Sequence, residues 1–70
     1  MKTWWVRTGF WLADGSWVID DRAVAASGMQ GALARGVREG RKAVVPKKRK
    51  VVEIRSRVEP IERRPVEATV

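Results

Sequence analysis

The four residues Ala13-Asp14-Gly15-Ser16 constrain this chain more than any other stretch. They separate two runs of aromatic and β-branched residues, Thr3–Leu12 and Ser16–Ile19. Such residues suit a pleated, half-buried surface. Asp-Gly between two such runs is a strong signal for a type I′ hairpin turn, whose two central residues both need φ > 0. A hairpin over residues 4–24 is therefore expected. Centring its turn on Asp14-Gly15 sets Leu12 opposite Trp17, Trp11 opposite Val18 and Phe10 opposite Ile19. Further out, Val6 meets Ala23 and Trp5 meets Val24.

That register sorts the side chains, because they alternate along a strand. One face is expected to carry Trp4, Val6, Phe10, Leu12, Trp17, Ile19, Ala23 and Ala25, and is the core face. The other carries Trp5, Arg7, Trp11, Val18, Arg22 and Val24. The same register sets Arg7 opposite Arg22, a like-charge pair that sheets disfavour. Asp20 and Asp21 offer diagonal relief. A bulge at Gly9 is the alternative, since a strand glycine often marks one.

Seventy residues make one domain at most. So small a core is marginal, and small domains often rely on disulfides, metals or association. Here there is neither Cys nor His. Disulfides are excluded and a zinc site lacks its usual ligands. No apolar run approaches the ~20 residues of a membrane span, and Met1-Lys2 does not open a signal peptide. An intracellular, cytoplasmic protein with no membrane partner is expected.

After the hairpin, Ser27 and Gln30 have capping-box spacing, in which two free backbone donors are satisfied reciprocally. Met29, Ala32, Leu33, Gly36, Val37 and Gly40 then recur at helical spacing. A helix from about Gly28 to Lys42 is expected. Gly31 and Gly36 weaken it, each by about 1 kcal/mol relative to Ala. Gly36 falls on the apolar face, where close approach to a Trp or Phe ring explains it. Pro46 ends the segment by biasing Val45 towards extended backbone.

Val51–Glu59 alternates again, with Val52, Ile54 and Val58 facing the helix and Glu53, Arg55, Arg57 and Glu59 facing away. This is a third strand, ended by Pro60. The fold class is thus α+β, in the order β-β-α-β, with one helix on one face of a three-stranded, mainly antiparallel sheet. The spatial order 2-1-3 is preferred, because the first strand is the most apolar. A parallel third strand beside the second, reached by a right-handed crossover, is the alternative. Residues 1–59 form the domain, and 60–70 read as a flexible or partner-ordered tail.

The net charge of +7 is concentrated. Arg35, Arg38, Arg41, Lys42, Lys47, Lys48, Arg49 and Lys50 face a single acid, Glu39, within residues 35–50, while charges elsewhere cancel. Two or three of these cations serve a helix C-terminus. The rest favour a polyanion. Nucleic-acid phosphates are the expected ligand, with Arg55 and Arg57 extending the footprint and Trp5 or Trp11 offering stacking surfaces. Pro46-Lys47-Lys48-Arg49-Lys50-Val51 is identical to a viral nuclear-localisation motif. Because Val51 also starts a strand, the identity is read as chance.

Catalysis needs a nucleophile, an acid/base pair or a metal. With no His, Cys or Tyr, the chain offers little. Adjacent Asp20 and Asp21 point to opposite faces of a strand and pair more naturally with Arg7 or Arg22. No phosphate-loop pattern G-x-x-x-x-G-K-[ST] is present. A non-enzymatic protein without cofactors is expected. Its partners are nucleic acid, a nucleic-acid-binding protein complex, or both. A second class of function is a regulator that docks through Trp5, Trp11 and Val18 on a host machine such as RNA polymerase or a CRISPR complex. The same open face also suits a homodimer.

Ala25-Ala26-Ser27-x-x-Gln30 after a β-hairpin resembles small phage-encoded proteins, including some anti-CRISPR inhibitors. The resemblance implies a one-helix, small-sheet binder that blocks a nucleic-acid machine. In β-β-α-β order and basicity the chain also resembles the LX family of ribosomal proteins. Neither resemblance assigns a role to a particular residue.

Overall fold

A computed structural model of the chain describes residues 1–61. Strands β1 (Lys2–Leu12) and β2 (Trp17–Ala26) are followed by helix α1 (Met29–Val44) and strand β3 (Val51–Pro60). The sheet has three antiparallel strands in the order β2-β1-β3. The most apolar strand is therefore central, and α1 covers one face. The helix leans towards β2 and β1 and away from β3. Accordingly Val24 on β2 is buried while Ile54 on β3 remains 39% exposed.

The turn lies at Asp14-Gly15, but it is a residue longer than a type I′ turn. The Gly15 N–H donates to Leu12 O at 3.0 Å, and the Leu12 N–H donates to Ser16 O at 2.8 Å. Among the described residues only Gly15 has positive φ, at 91°. Ala13-Asp14-Gly15 is thus a three-residue loop that closes with a glycine in the left-handed region. Asp14 Oδ1 supports it by accepting from the Ser16 N–H at 3.0 Å and the Ser16 hydroxyl at 2.6 Å.

One extra loop residue moves the pairing by one, and a one-residue slip turns a strand over. Trp11 faces Trp17, Phe10 faces Val18, Thr8 faces Asp20 and Val6 faces Arg22. Val18, Arg22 and Val24 therefore lie on the helix side, contrary to the expected register. Trp17, Ile19, Ala23 and Ala25 lie on the open side. The β1 assignments stand: Trp4, Val6, Phe10 and Leu12 are buried, while Trp5, Arg7 and Trp11 share the open face. Arg7 meets Asp21 rather than Arg22, and their ion pair spans 3.6 Å. Pairing runs unbroken through Gly9, so no bulge is needed there. The irregularity sits on the other side of β1, between Trp11 and Leu12, where Val52 is an extra residue. Val51, not Val52, consequently faces Leu12, and Val52 is 59% exposed.

Helix α1 begins one residue later than a Ser27 cap requires. Gly28 is the N-cap, and it makes no side-chain capping bond, so the Ser27–Gln30 capping box does not form. The buried helix positions are Ala32, Gly36 and Gly40. This stripe of small residues lets the helix backbone approach the sheet. A Cβ at Gly36 would stand 2.5 Å from Val6 Cγ1, so the close approach is to Val6 rather than to an aromatic ring. A Cβ at Gly40 would stand 2.6 Å from Asp20 Oδ2. Leu33 and Val37 flank the stripe half-buried, and Met29 is exposed.

Asp20 is buried on the helix side and is neutralised locally. Arg22 Nε donates to its Oδ2 at 2.8 Å, and a second guanidinium nitrogen donates to Oδ1 at 3.1 Å. Arg22 also reaches Glu39 on α1 at 3.6 Å, so the strand and the helix share one charge network. The buried Thr8 hydroxyl accepts from Ser56 on β3 at 3.1 Å. The indole N–H of Trp4 donates to Ala26 O at 3.0 Å, which satisfies a buried donor at the end of the hairpin.

Strand β3 includes Pro60, which faces Trp4 at the sheet edge, where a missing N–H is tolerated. The expected tail beyond residue 61 lies outside the described residues.

Candidate nucleic-acid interface

The expected basic site resolves into two surfaces on opposite sides of the sheet. The first is built by the second half of α1 and the loop that follows. Leu33, Ala34, Val37, Val45 and Pro46 form the apolar floor of an open trough, and Arg38, Arg41, Lys42, Lys47 and Arg49 line it too. No acidic residue lines this trough among the described residues. Arg41 and Lys42 also occupy the last turn of the helix, where cations complement its dipole.

The loop between α1 and β3 is tied to the hairpin tip. The Arg49 N–H donates to Pro46 O at 3.0 Å, closing a tight turn. The Arg49 guanidinium pairs with Asp14 Oδ2. The Ala13 N–H donates to Lys50 O at 2.9 Å. One loop thus holds four consecutive cations, Lys47 to Lys50, beside the β1–β2 turn. Val51, the last residue of the nuclear-localisation identity, opens β3.

Two of the expected ligands are committed to structure. Arg35 donates to Glu39 at 2.9 Å and to Ala25 O at 3.1 Å, fastening α1 to the end of β2. Arg49 holds the tip. Among the described residues, Arg38, Arg41, Lys42, Lys47, Lys48 and Lys50 make no ion pair. All six are exposed, and of them Arg38 lies near enough to Glu39 to act on its carboxyl. Glu39 sits within the network of Arg35 and Arg22. Its hydrogen bond from Arg35, joined by the nearby charges of Arg35, Arg22 and Arg38, holds its carboxyl below the usual carboxylate range against the opposing cost of burial.

The second surface is the sheet face that the helix leaves open. Arg55 and Arg57 lie here, not beside the basic loop's helix face. Arg57 faces Arg7 across β1–β3. The Arg55 guanidinium pairs with Glu53 at 2.6 Å and lies 5.5 Å from the centroid of the Trp11 ring. Trp11 stacks on Trp17, with ring centroids 6.2 Å apart and planes 21° from parallel. Gly9 makes room for this arrangement, since a Cβ there would stand 2.8 Å from the Trp11 ring. The Trp5 indole N–H bonds to Asp21 on the same face.

Sequence reasoning placed Trp5 and Trp11 on the open face but assigned Trp17 to the core. Trp17 is 57% exposed and Ile19 is 44% exposed. The Arg7–Arg22 clash was the available signal, because shifting the register by one removes it and turns Trp17 and Ile19 outward. Val18, expected at the open interface, faces Phe10 instead.

Among the described residues no helix is long and apolar enough to cross a membrane. Comparison of the chain with protein-family models, curated proteins and solved structures finds no match.

Proposed function

We propose that this chain is a small, basic, non-enzymatic nucleic-acid-binding protein that acts in the cytoplasm at a nucleic-acid-containing assembly. Arg38, Arg41, Lys42, Lys47, Lys48 and Lys50 contact phosphates. The observation that carries this reading is that none of the six makes an ion pair among the described residues, and that four of them, Arg38, Arg41, Lys42 and Lys47, line one trough with no acidic residue in its lining. Unpaired cations crowded together repel one another, and a polyanion relieves that repulsion while releasing its own counterions. Arg35 and Arg49 position this surface rather than meeting the ligand.

The test is a titration of labelled nucleic acid with the full chain at low salt. Replacing Lys47, Lys48 and Lys50 together by Glu should weaken binding at low salt at least about tenfold, while leaving the melting temperature close to that of the parent, because all three side chains are exposed. Undiminished binding by that variant would remove the proposal.

The open sheet face favours a second reading, a phage-type regulator or inhibitor docked by protein contact on a host nucleic-acid machine. Its support is the exposure of Trp17 and Ile19, large apolar side chains of the kind that mark interaction surfaces. A complex purified from cells that survives nuclease treatment, and is lost when Trp17 is replaced by Ser, supports this reading over the first.

A further inference from the structure

We infer that the ligand is single-stranded nucleic acid, and that the Trp11–Trp17 pair is a base-stacking platform at the hairpin tip. The inference rests on the nucleic-acid reading above and adds the form of the ligand and the residue that recognises it.

Three observations converge on the tip. First, Trp17 presents an exposed ring backed by Trp11, and Trp11 in turn packs against the bare backbone of Gly9 and beneath the Arg55 guanidinium, 5.5 Å from its ring centroid. A ring braced in this way loses little side-chain freedom when a base stacks on it. Second, Trp17 directly follows the turn to which the basic loop is tied by the Arg49–Asp14 pair and the Ala13–Lys50 backbone bond. The loop brings four cations and the turn a single carboxylate, so this end of the molecule is strongly positive. Third, the Arg55 guanidinium, paired with Glu53, lies over the Trp11 ring and adds a cation–π contact that helps fix the platform.

Charge beside an aromatic platform distinguishes the two forms of nucleic acid. A duplex hides the faces of its bases and offers mainly phosphates. A single strand exposes both, so it can lay phosphates along Lys47, Lys48 and Lys50 while a base covers Trp17. Stacking of this kind tolerates any sequence, because every base has a π-face. Acidic protein segments match the cations but supply no planar rings for the platform.

The experiment compares an oligothymidylate with a duplex of equal length, using the full chain and its Trp17→Ala and Trp17→Phe variants at fixed low salt. Trp17→Ala should weaken single-strand binding about 5- to 100-fold. It should leave duplex binding within about twofold, and Trp17→Phe should restore most of the loss. Equal losses for both ligands, or no loss for either, would overturn the inference while leaving phosphate binding by the loop intact. Failure of the parent chain to bind either ligand would overturn the nucleic-acid reading itself. Sedimentation of each variant supplies a further outcome: a parent dimer that Trp17→Ala converts to monomer would show that a second copy occupies the platform, and would also overturn the inference.

Discussion

Gly36 on α1 lies directly against Val6 on β1, so closely that a Cβ at position 36 would stand 2.5 Å from Val6 Cγ1. Val6 is completely buried and has no room to yield. The weak helix former is thus the contact that seats the helix. Gly36→Leu should destabilise the chain by about 1–3 kcal/mol, or prevent docking of the helix. Gly31 is the control. A Cβ there meets only Ala26 Cβ at 3.8 Å, and Gly31→Ala should stabilise by up to about 1 kcal/mol through helix propensity. Urea denaturation of the two variants measures both signs.

Adjacent acids on β2 should differ sharply. Asp20 is buried beneath Gly40 and takes two hydrogen bonds from Arg22. Asp21 lies on the open face and is partly exposed. Asp20→Ala should cost about 1–3 kcal/mol, because it leaves Arg22 with only its longer contact to Glu39. Asp21→Ala should cost less, about 1 kcal/mol or below, because its ion pair with Arg7 and its hydrogen bond from the Trp5 indole are both exposed. Denaturation midpoints for the two variants read the contrast.

The Glu39 network gives a pH dependence of known sign. Its folded-state carboxyl is held below the ordinary value of 4.5, chiefly by the hydrogen bond from Arg35. A depressed carboxylate contributes stability that is fully present above the unfolded-state value and is lost as pH falls through the folded-state value. Glu39→Gln should therefore lower the melting temperature at pH 7. The difference from the parent should shrink as pH drops below about 4.5. Thermal melts at pH 7 and pH 3 check the convergence; a difference that grows on acidification would contradict it.

The order of elements, the antiparallel sheet and the central place of β1 were legible in the sequence because each follows from composition and alternation. The turn position was legible too, since Asp14-Gly15 has few other uses. Loop length was not, because the same dipeptide serves a two-residue turn and the last two positions of a three-residue loop. That single residue decided which face of β2 met the helix, and with it the positions of Val18, Trp17, Asp20 and Arg22. The cap was misplaced for a related reason. Ser27 had the right chemistry, but the chain enters the helix through extended Gly28, and a generic cap pattern does not reveal that. The basic patch was legible as charge. Its division was not, because only the fold shows that Arg35 and Arg49 are spent on Glu39 and Asp14 and that Arg55 and Arg57 face the other way.

The account centres on phosphate contact by the unpaired cations of α1 and its loop, and the salt dependence of binding tests that most directly. The dissociation constant of the full chain for an unstructured oligothymidylate should be measured between 50 and 300 mM salt, a range of roughly this width being enough to resolve counterion release. Five or six phosphate contacts predict a slope of log affinity against log salt of about −4. Replacing Lys47, Lys48 and Lys50 by Glu should flatten that slope by at least about two units. A slope near zero in the parent chain would contradict the account, whatever its affinity.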